Sequence, residues 1–285
     1  MGNFTKGLMD NLNNNNMVSL IMPTFNRDFI IELAIQSIIN QKEHTWNIEL
    51  LIGDDGNDDT EELIKNIDNT NSKLEIKYIK MERIALSDKL NYLVELSKGI
   101  FYGIIGSDDF QSLHKISTFE KCLELNPTGD VFGQRKFIYH DIIFNKTLLW
   151  TQNKDLQFFK AGSFLILKKS IFEDNNGYEK GLWRSVDSSL SNKIDWSKLK
   201  LIDVETENSK VINSSIAIQH IDNIWRRKSK GFRRKQKQTK NYLTQTVDIN
   251  IEKEMDCVFE TYSQVKSAML ENLSFIQKIF LILKK

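Results

Sequence analysis

Apolar positions change period repeatedly along this chain, and the changes mark out its elements. Val18-Ser-Leu-Ile-Met22 is a short apolar run closed by Pro23, the pattern of a buried strand. From Phe29 to Ile39 the apolar residues Ile30, Ile31, Ala34, Ile35, Ile38 and Ile39 recur at three- and four-residue spacing, which predicts a helix laying one face on a sheet. A second strand, Ile48 to Ile52, is closed by Gly53-Asp54-Asp55-Gly56, and Asp59 or Thr60 caps the next helix through about Ile67. Leu74 to Ile79 predicts a third strand. Ala85 to Leu96 predicts a third helix with Leu86, Leu90, Leu93 and Val94 inward. Then Phe101-Tyr-Gly-Ile-Ile-Gly-Ser-Asp-Asp109 reads as a buried strand that ends in two adjacent carboxylates.

Four strands alternating with three helices imply right-handed crossovers and a parallel sheet, so the fold class is α/β. Ligands of such sheets bind beyond the carboxyl ends of the strands, where Asp108 and Asp109 would stand. Ser107-Asp108-Asp109 also suits a solvated turn and helix cap, and the stretch alone does not separate the two. The absence of a GxGxxG and of a P-loop argues against dinucleotide oxidoreductases and P-loop phosphotransferases.

After a helix from about Leu113 to Leu125 the pattern loosens. Asp130 to Tyr139 and Ile142 to Trp150 alternate as strands of a hairpin, Lys160 to Leu167 is another strand, and residues 183 to 194 suit a helix. Leu199 to Val204 and Val211 to Ile218 predict strands, and the chain beyond residue 240 reads as helical, finishing in Leu270 to Lys285. Residues 1–16 form a flexible leader in this reading, 17–222 the main domain and 223–285 a basic segment with C-terminal helices. The main domain divides into 17–110, a nucleotide-binding type of α/β half, and a second half, 111–222.

Charge adds one feature. The formal net charge of the 285 residues is +1, yet Arg226 to Lys240 holds nine Lys or Arg and no acid, leaving the rest of the chain at −8. Such a segment is a candidate surface for a donor diphosphate, an anionic membrane or nucleic acid, or else a solvated charged face. Cys122 and Cys257 lack metal-ligand spacing and read as reduced thiols. With no spanning apolar stretch and no signal peptide, the expected location is cytoplasmic, at most peripheral to a membrane.

Four stretches in order resemble the GT-A fold glycosyltransferases of family 2. Val18-Ser-Leu-Ile-Met-Pro-Thr-Phe-Asn-Arg27 is similar to their opening strand and loop, and Leu51-Ile-Gly-Asp-Asp-Gly-Asn-Asp-Asp-Thr60 to their Asp-Asp-Gly-Ser loop. Lys89-Leu-Asn91 through Gly99 matches the helix before their metal-binding strand, and Gly106-Ser-Asp-Asp109 falls where they carry Asp-x-Asp. The likeness covers roughly residues 17 to 220. It implies an inverting transfer of a sugar from a nucleotide-diphosphate donor, a UDP-sugar, with Mn²⁺ or Mg²⁺ as cofactor. It further implies that Asp108 and Asp109 serve as metal and ribose ligands, with Asp109 the main metal contact. Gly106 stands at the family's first Asp position, which leaves the division of labour between the two carboxylates open.

By the same likeness Pro23 and Phe25 line the nucleotide, Phe25 by stacking on the base, Asp55 anchors the uracil or ribose, and Arg83 contacts the nucleotide. Asp187, in Gly181-Leu-Trp-Arg-Ser-Val-Asp187, is the candidate general base, although the family's usual Glu-Asp is here Val186-Asp187. Trp183 offers an apolar face to a sugar ring. His220, followed by Ile221-Asp222-Asn223, resembles a late His-x-x-Asn whose imidazole approaches the metal or diphosphate. His44, His114 and His140 form no metal constellation and receive no role. The acceptor is a surface-glycan precursor, a protein or a modified DNA base, and a homodimer is compatible with the apolar C-terminus. A reading from another class is a noncatalytic nucleic-acid or membrane binder working through Arg226–Lys240.

Overall fold

A computed structural model describes residues 16–134, 136–142, 145–152, 166–204, 215–219, 242–246 and 259–271. Strand β1 (Met17–Thr24) lies between β2 (Asn47–Asp54) and β4 (Phe101–Ile104), with β3 (Leu74–Lys80) outside β2. All four run parallel. Helices α1 (Ile31–Ile39), α2 (Thr60–Asn66) and α3 (Leu86–Leu96) make the crossovers. Beyond β4 the sheet continues through β9 (Ile166–Lys168), antiparallel to both its neighbours, then β6 (Val131–Gly133) and β10 (Leu201–Asp203).

The central strands are buried on both faces, which is why they read as continuous apolar runs rather than alternating ones. Val18, Leu20 and Met22 of β1 pack with Ala34, Ile35 and Ile38 of α1 and with Phe119 and Cys122 of α4 (Lys115–Leu125). Trp46, Phe101, Phe119 and Phe132 meet there edge-on or tilted, with centroids 5.0–6.0 Å apart. Ile21 faces the other way, with Leu90, Leu93 and Val94 of α3, Phe172 of α5 (Lys169–Asp174) and Leu190 of α6 (Val186–Ser191).

A second, five-stranded sheet stands against the first. It comprises β5 (Asp109–Phe110), β7 (Lys136–Asp141), β8 (Lys146–Gln152), β11 (Ile216–Gln219) and β12 (Tyr242–Thr246), ordered β12-β8-β7-β11-β5. Ile30 just before α1, Leu33 within it, and Tyr262, Val265 and Met269 from α7 (Phe259–Glu271) close its core. His140 is buried there, with Nδ1 3.0 Å from Thr147 Oγ1 and Nε2 2.9 Å from the Tyr262 hydroxyl. Burial pushes its imidazole down to about 4, so it stays neutral and braces α7.

The order β3-β2-β1-β4 reverses direction between β1 and β4, and crevices for ligands open at such a switch point. The loops leaving β1, β2 and β4 therefore gather at one edge. Several sequence expectations are corrected on the way. Pro23 does not close the first strand: β1 continues to Thr24, with Pro23 in register with Gly53. Ile21 O accepts from Ile105 N on the β4 side, and Pro23, two residues on, faces the same side where the β4 ladder has ended at Ile104. Its missing N–H is therefore not needed.

The strand expected to reach Asp109 stops at Ile104, and Asp109 instead opens β5 in the second sheet. Asp130 to Tyr139 is two strands, because Val131–Gly133 pairs in the first sheet and Lys136–Asp141 in the second. The hairpin partner is Lys146–Gln152 rather than Ile142–Trp150. The helix expected over 183–194 is confined to Val186–Ser191, and the region expected to be wholly helical after residue 240 contains β12, antiparallel to β8. Residues 1–15, Lys160–Leu165, His220, Arg226–Lys240, Cys257 and the chain after Glu271 lie outside the described residues.

Candidate active site at the sheet edge

Three loops build one side of this edge. Asn26, just after β1, adopts φ 51° and its side chain accepts from Asn57 N at 2.9 Å. Gly56 passes so close that a Cβ would lie 2.6 Å from Asn26 N, so this position needs the bare backbone of glycine. Asp54 braces the loop. Its Oδ1 accepts from Gly56 N at 2.8 Å, and its Oδ2 from the Tyr78 hydroxyl at 2.8 Å and Lys80 Nζ at 3.2 Å.

Asp55 carries a carboxylate with no exposed surface, flanked by two cations. Lys89, from α3, is itself buried and spans the ends of β1 and β2, donating to Asp55 Oδ1 and, at 2.7 Å, to Thr24 O. Burial lowers the Lys89 pKa, while the Asp55 carboxylate opposes that shift. Arg83 Nη1 donates to Asp55 Oδ2 at 2.6 Å. The Arg83 guanidinium also lies 3.7 Å from the Phe25 ring centroid and 4.6 Å from that of Trp183. Both rings are solvent-exposed. Phe25, Asp55 and Arg83, expected at the nucleotide, are thus one cluster, with Pro23 two residues upstream of Phe25 in β1.

The acidic pair is held at the junction of the two sheets. Asp109 registers with Ala217 of β11, and Phe110, on the opposite face of β5, is buried in the second core. A Cβ at Gly106 would lie 2.5 Å from Asp109 Oδ2 and 3.0 Å from Asp108 Oδ1. One oxygen from each carboxylate therefore overhangs the same bare backbone position. Two converging carboxylates are what a hard cation such as Mg²⁺ takes from protein when phosphate oxygens fill the rest of its shell. Among the described residues no group of three or more His, Cys, Asp or Glu gathers to hold a metal. The ends of β2 and β4 are two strand spacings apart, about 10 Å, which a nucleotide diphosphate can bridge.

Asp187 lies in the first turn of α6. Solvent reaches it, yet enough protein crowds around it that desolvation raises its carboxyl above the ordinary aspartate value. The loop before it is tied to α3. Ser87 N donates to Leu182 O at 3.0 Å while Leu182 N donates to Ser87 Oγ at 2.8 Å. Asn91 clamps Tyr178 in the same reciprocal way, through bonds of 3.0 and 2.8 Å.

The sequence matches the glycosyl transferase family 2 profile over residues 19–186, a stretch that runs from β1 through α5 and ends one residue before Asp187. The chain belongs to glycosyl transferase family 2. It is 36% identical over 107 residues to an uncharacterized glycosyltransferase of Mycoplasma genitalium, covering 36% of each chain. It is 30% identical over 129 residues to the poly(ribitol-phosphate) beta-N-acetylglucosaminyltransferase TarP of Staphylococcus aureus, covering 45% of this chain and 36% of that one. With the Escherichia coli UDP-Glc:alpha-D-GlcNAc-diphosphoundecaprenol beta-1,3-glucosyltransferase WfgD the figure is 26% over 133 residues, covering 46% and 50%. The match thus spans half or less of the length of these relatives.

Among solved structures, S. aureus TarS 1-349 in complex with UDP-GlcNAc matches at a TM-score of 0.56 and 14% identity, over 73% of this chain and 60% of that one. The Pyrobaculum calidifontis mannosyltransferase PcManGT, in complex with GDP-Man and Mn²⁺, matches at 0.51 and 15%, over 94% and 79%. These likenesses establish the GT-A fold of the family 2 chain. No helix among the described residues is long and apolar enough to cross a membrane.

Sequence reasoning gave no side-chain role to three residues of this family 2 site. Lys89 falls within the apolar stripe of α3 formed by Leu86, Leu90 and Leu93, and a lysine there must find a buried partner. That signal was legible. Asn91 gave none, because its partner is a backbone 87 residues away. Lys115, at the start of α4, lies near enough to Asp109 for the carboxylate to support its charge, while burial pushes its ammonium down to about 8. Its partner Ser215 Oγ, at 3.4 Å, is likewise distant in sequence.

Proposed function

We propose that this chain is an inverting glycosyltransferase that moves a sugar from a nucleotide-diphosphate sugar, a UDP-sugar, to a hydroxyl of a glycan acceptor. The observation that carries the reading is the convergence of the Asp108 and Asp109 carboxylates over Gly106, at the same sheet edge as the buried Asp55 and the Phe25–Arg83 stack. Asp108 and Asp109 would hold a Mg²⁺ or Mn²⁺ ion, which supplies Lewis-acid stabilisation of the leaving diphosphate. Phe25 stacks on the base, and Asp55 accepts the imide N–H of uracil. Arg83 adds positive charge toward the diphosphate.

On the other side Asp187 takes the proton of the acceptor hydroxyl as its oxygen bonds to the anomeric carbon. The bond from that carbon to the diphosphate oxygen breaks on the opposite face, so configuration inverts. The proton then passes from Asp187 to solvent, and the nucleoside diphosphate departs. The relatives named with UDP-GlcNAc and UDP-Glc support the choice of a UDP donor, and the Mn²⁺ of PcManGT supports a divalent ion.

Titration calorimetry with UDP, with and without Mn²⁺, tests the reading. Binding should strengthen with the metal, and Asp109→Ala should abolish the metal-dependent part and reduce transfer by about a thousandfold or more. UDP affinity indifferent to Mn²⁺ in the unmodified chain would remove the acidic pair from this role.

A further inference from the structure

Both groups assigned to base recognition are already held by one side chain. The Arg83 guanidinium stacks at 3.7 Å on the Phe25 ring and donates at 2.6 Å to Asp55 Oδ2, while Lys89 occupies Oδ1. The same guanidinium lies 4.6 Å from Trp183, which belongs to the loop leading into α6 and Asp187. That loop turns through Gly181 at φ +76° and Ser185 at φ 58°, and Leu182 is pinned to the start of α3 by Ser87. Arg83 and Trp183 are thus carried to each other from the two ends of one docked junction.

We propose that Arg83 is a built-in competitor for the base subsite, held there by Trp183, and that donor binding displaces it from Phe25 and Asp55 toward the diphosphate. Trp183 is then a positioning residue that sets donor affinity through Arg83 without touching the nucleotide. It is released from the donor side, four residues before Asp187, only when a base has arrived. The proposal rests on the donor reading above and deepens it.

The sign of one substitution tests it. Removing the Trp183 ring frees Arg83 from one of its two aromatic partners, so Trp183→Leu should bind UDP with Mn²⁺ about two- to fivefold more tightly in calorimetry, the scale of one exposed cation–π contact. Trp183→Phe, which keeps a ring, should stay near the unmodified value. In an Arg83→Ala background Trp183→Leu should have no effect on UDP affinity, because the competitor is gone. Trp183 is 51% exposed, so the substitution leaves the core intact. Unchanged or weaker UDP binding by Trp183→Leu, with the unmodified chain binding UDP, overturns the competitor and leaves the donor reading standing. Failure of the unmodified chain to bind UDP overturns both.

Discussion

The two sides of the cleft, proposed above to take donor and acceptor, are built differently. On the proposed donor side two carboxylates are each held by several partners: Asp55 between Lys89 and Arg83, Asp54 between Tyr78, Lys80 and the Gly56 amide. On the acceptor side the loop from Gly181 to Ser185 is exposed apart from half-buried Leu182, has two left-handed residues, and leads into a helix whose Ser185 cap makes no side-chain hydrogen bond. A Cβ at Gly181 would meet nothing within 4 Å. The difference suits the chemistry. A diphosphate presents the same charges in every donor, so a site whose charges are already in place, with Arg83 alone displaced on binding, stabilises it with little reorganisation. Acceptor hydroxyls differ in their surroundings, and the proposed base follows the exposed end of a loop tied to α3 through Gly181 and Leu182.

Three substitutions sharpen that comparison, beginning with the largest effect. Asp187→Asn should slow turnover by a hundredfold or more while leaving the donor KM nearly unchanged, as expected of a general base on the acceptor side alone. Its pH profile adds a second check. Burial raises the Asp187 carboxyl, so on acidification the protonated, inactive form takes over at a higher pH than for an exposed aspartate, and the acidic limb of kcat shifts upward accordingly. The residual rate of Asp187→Asn should lack that limb. A donor KM that rose with the loss of turnover would mean the two sides are not separable.

Lys89→Met should act in the opposite sense, on the donor side and on stability. Removing one member of a buried ion pair costs about 3 kcal/mol, near the low end of the range because Arg83 stays on Asp55. Urea denaturation should show that loss, together with a higher donor KM. Stability within 0.5 kcal/mol of the parent would count against a rigid donor side. The smallest effect is expected at Gly106→Ala, where the new Cβ must push aside the Asp109 carboxylate. Half-maximal activity should then need about tenfold more Mn²⁺, as for changes to groups that orient metal ligands. An unaltered metal requirement would detach the acidic pair from Gly106.

How much of this was legible beforehand follows from the range of each interaction. The β3-β2-β1-β4 unit was readable because its strands are covered on both faces and its helices show one apolar stripe each, so hydrophobic period and element coincide. Pro23 misled because its cost depends on the neighbour its missing N–H would face, and β4 has already ended there. Asp130 to Tyr139 misled for a similar reason. Alternation is the same in either sheet, and only pairing partners show that β6 and β7 belong to different ones. β12 was missed because its partner β8 lies about ninety residues earlier.

By itself the sequence determined the α/β class, the parallel unit and the positions of Phe25, Asp55, Arg83 and Asp187 next to strand and helix ends, since these ends depend on local periodicity, while the likeness to family 2 singled those residues out. Tertiary structure alone decided that Arg83 would join Phe25, Asp55 and Trp183, that the Asp108 and Asp109 carboxylates would meet over Gly106, and that Lys89 and Asn91 of α3 would tie the donor loops and the acceptor loop to one helix. Each of those contacts joins groups brought together by chain crossings, and the free energy that selects them comes from burial and charge pairing in three dimensions, which no local pattern encodes.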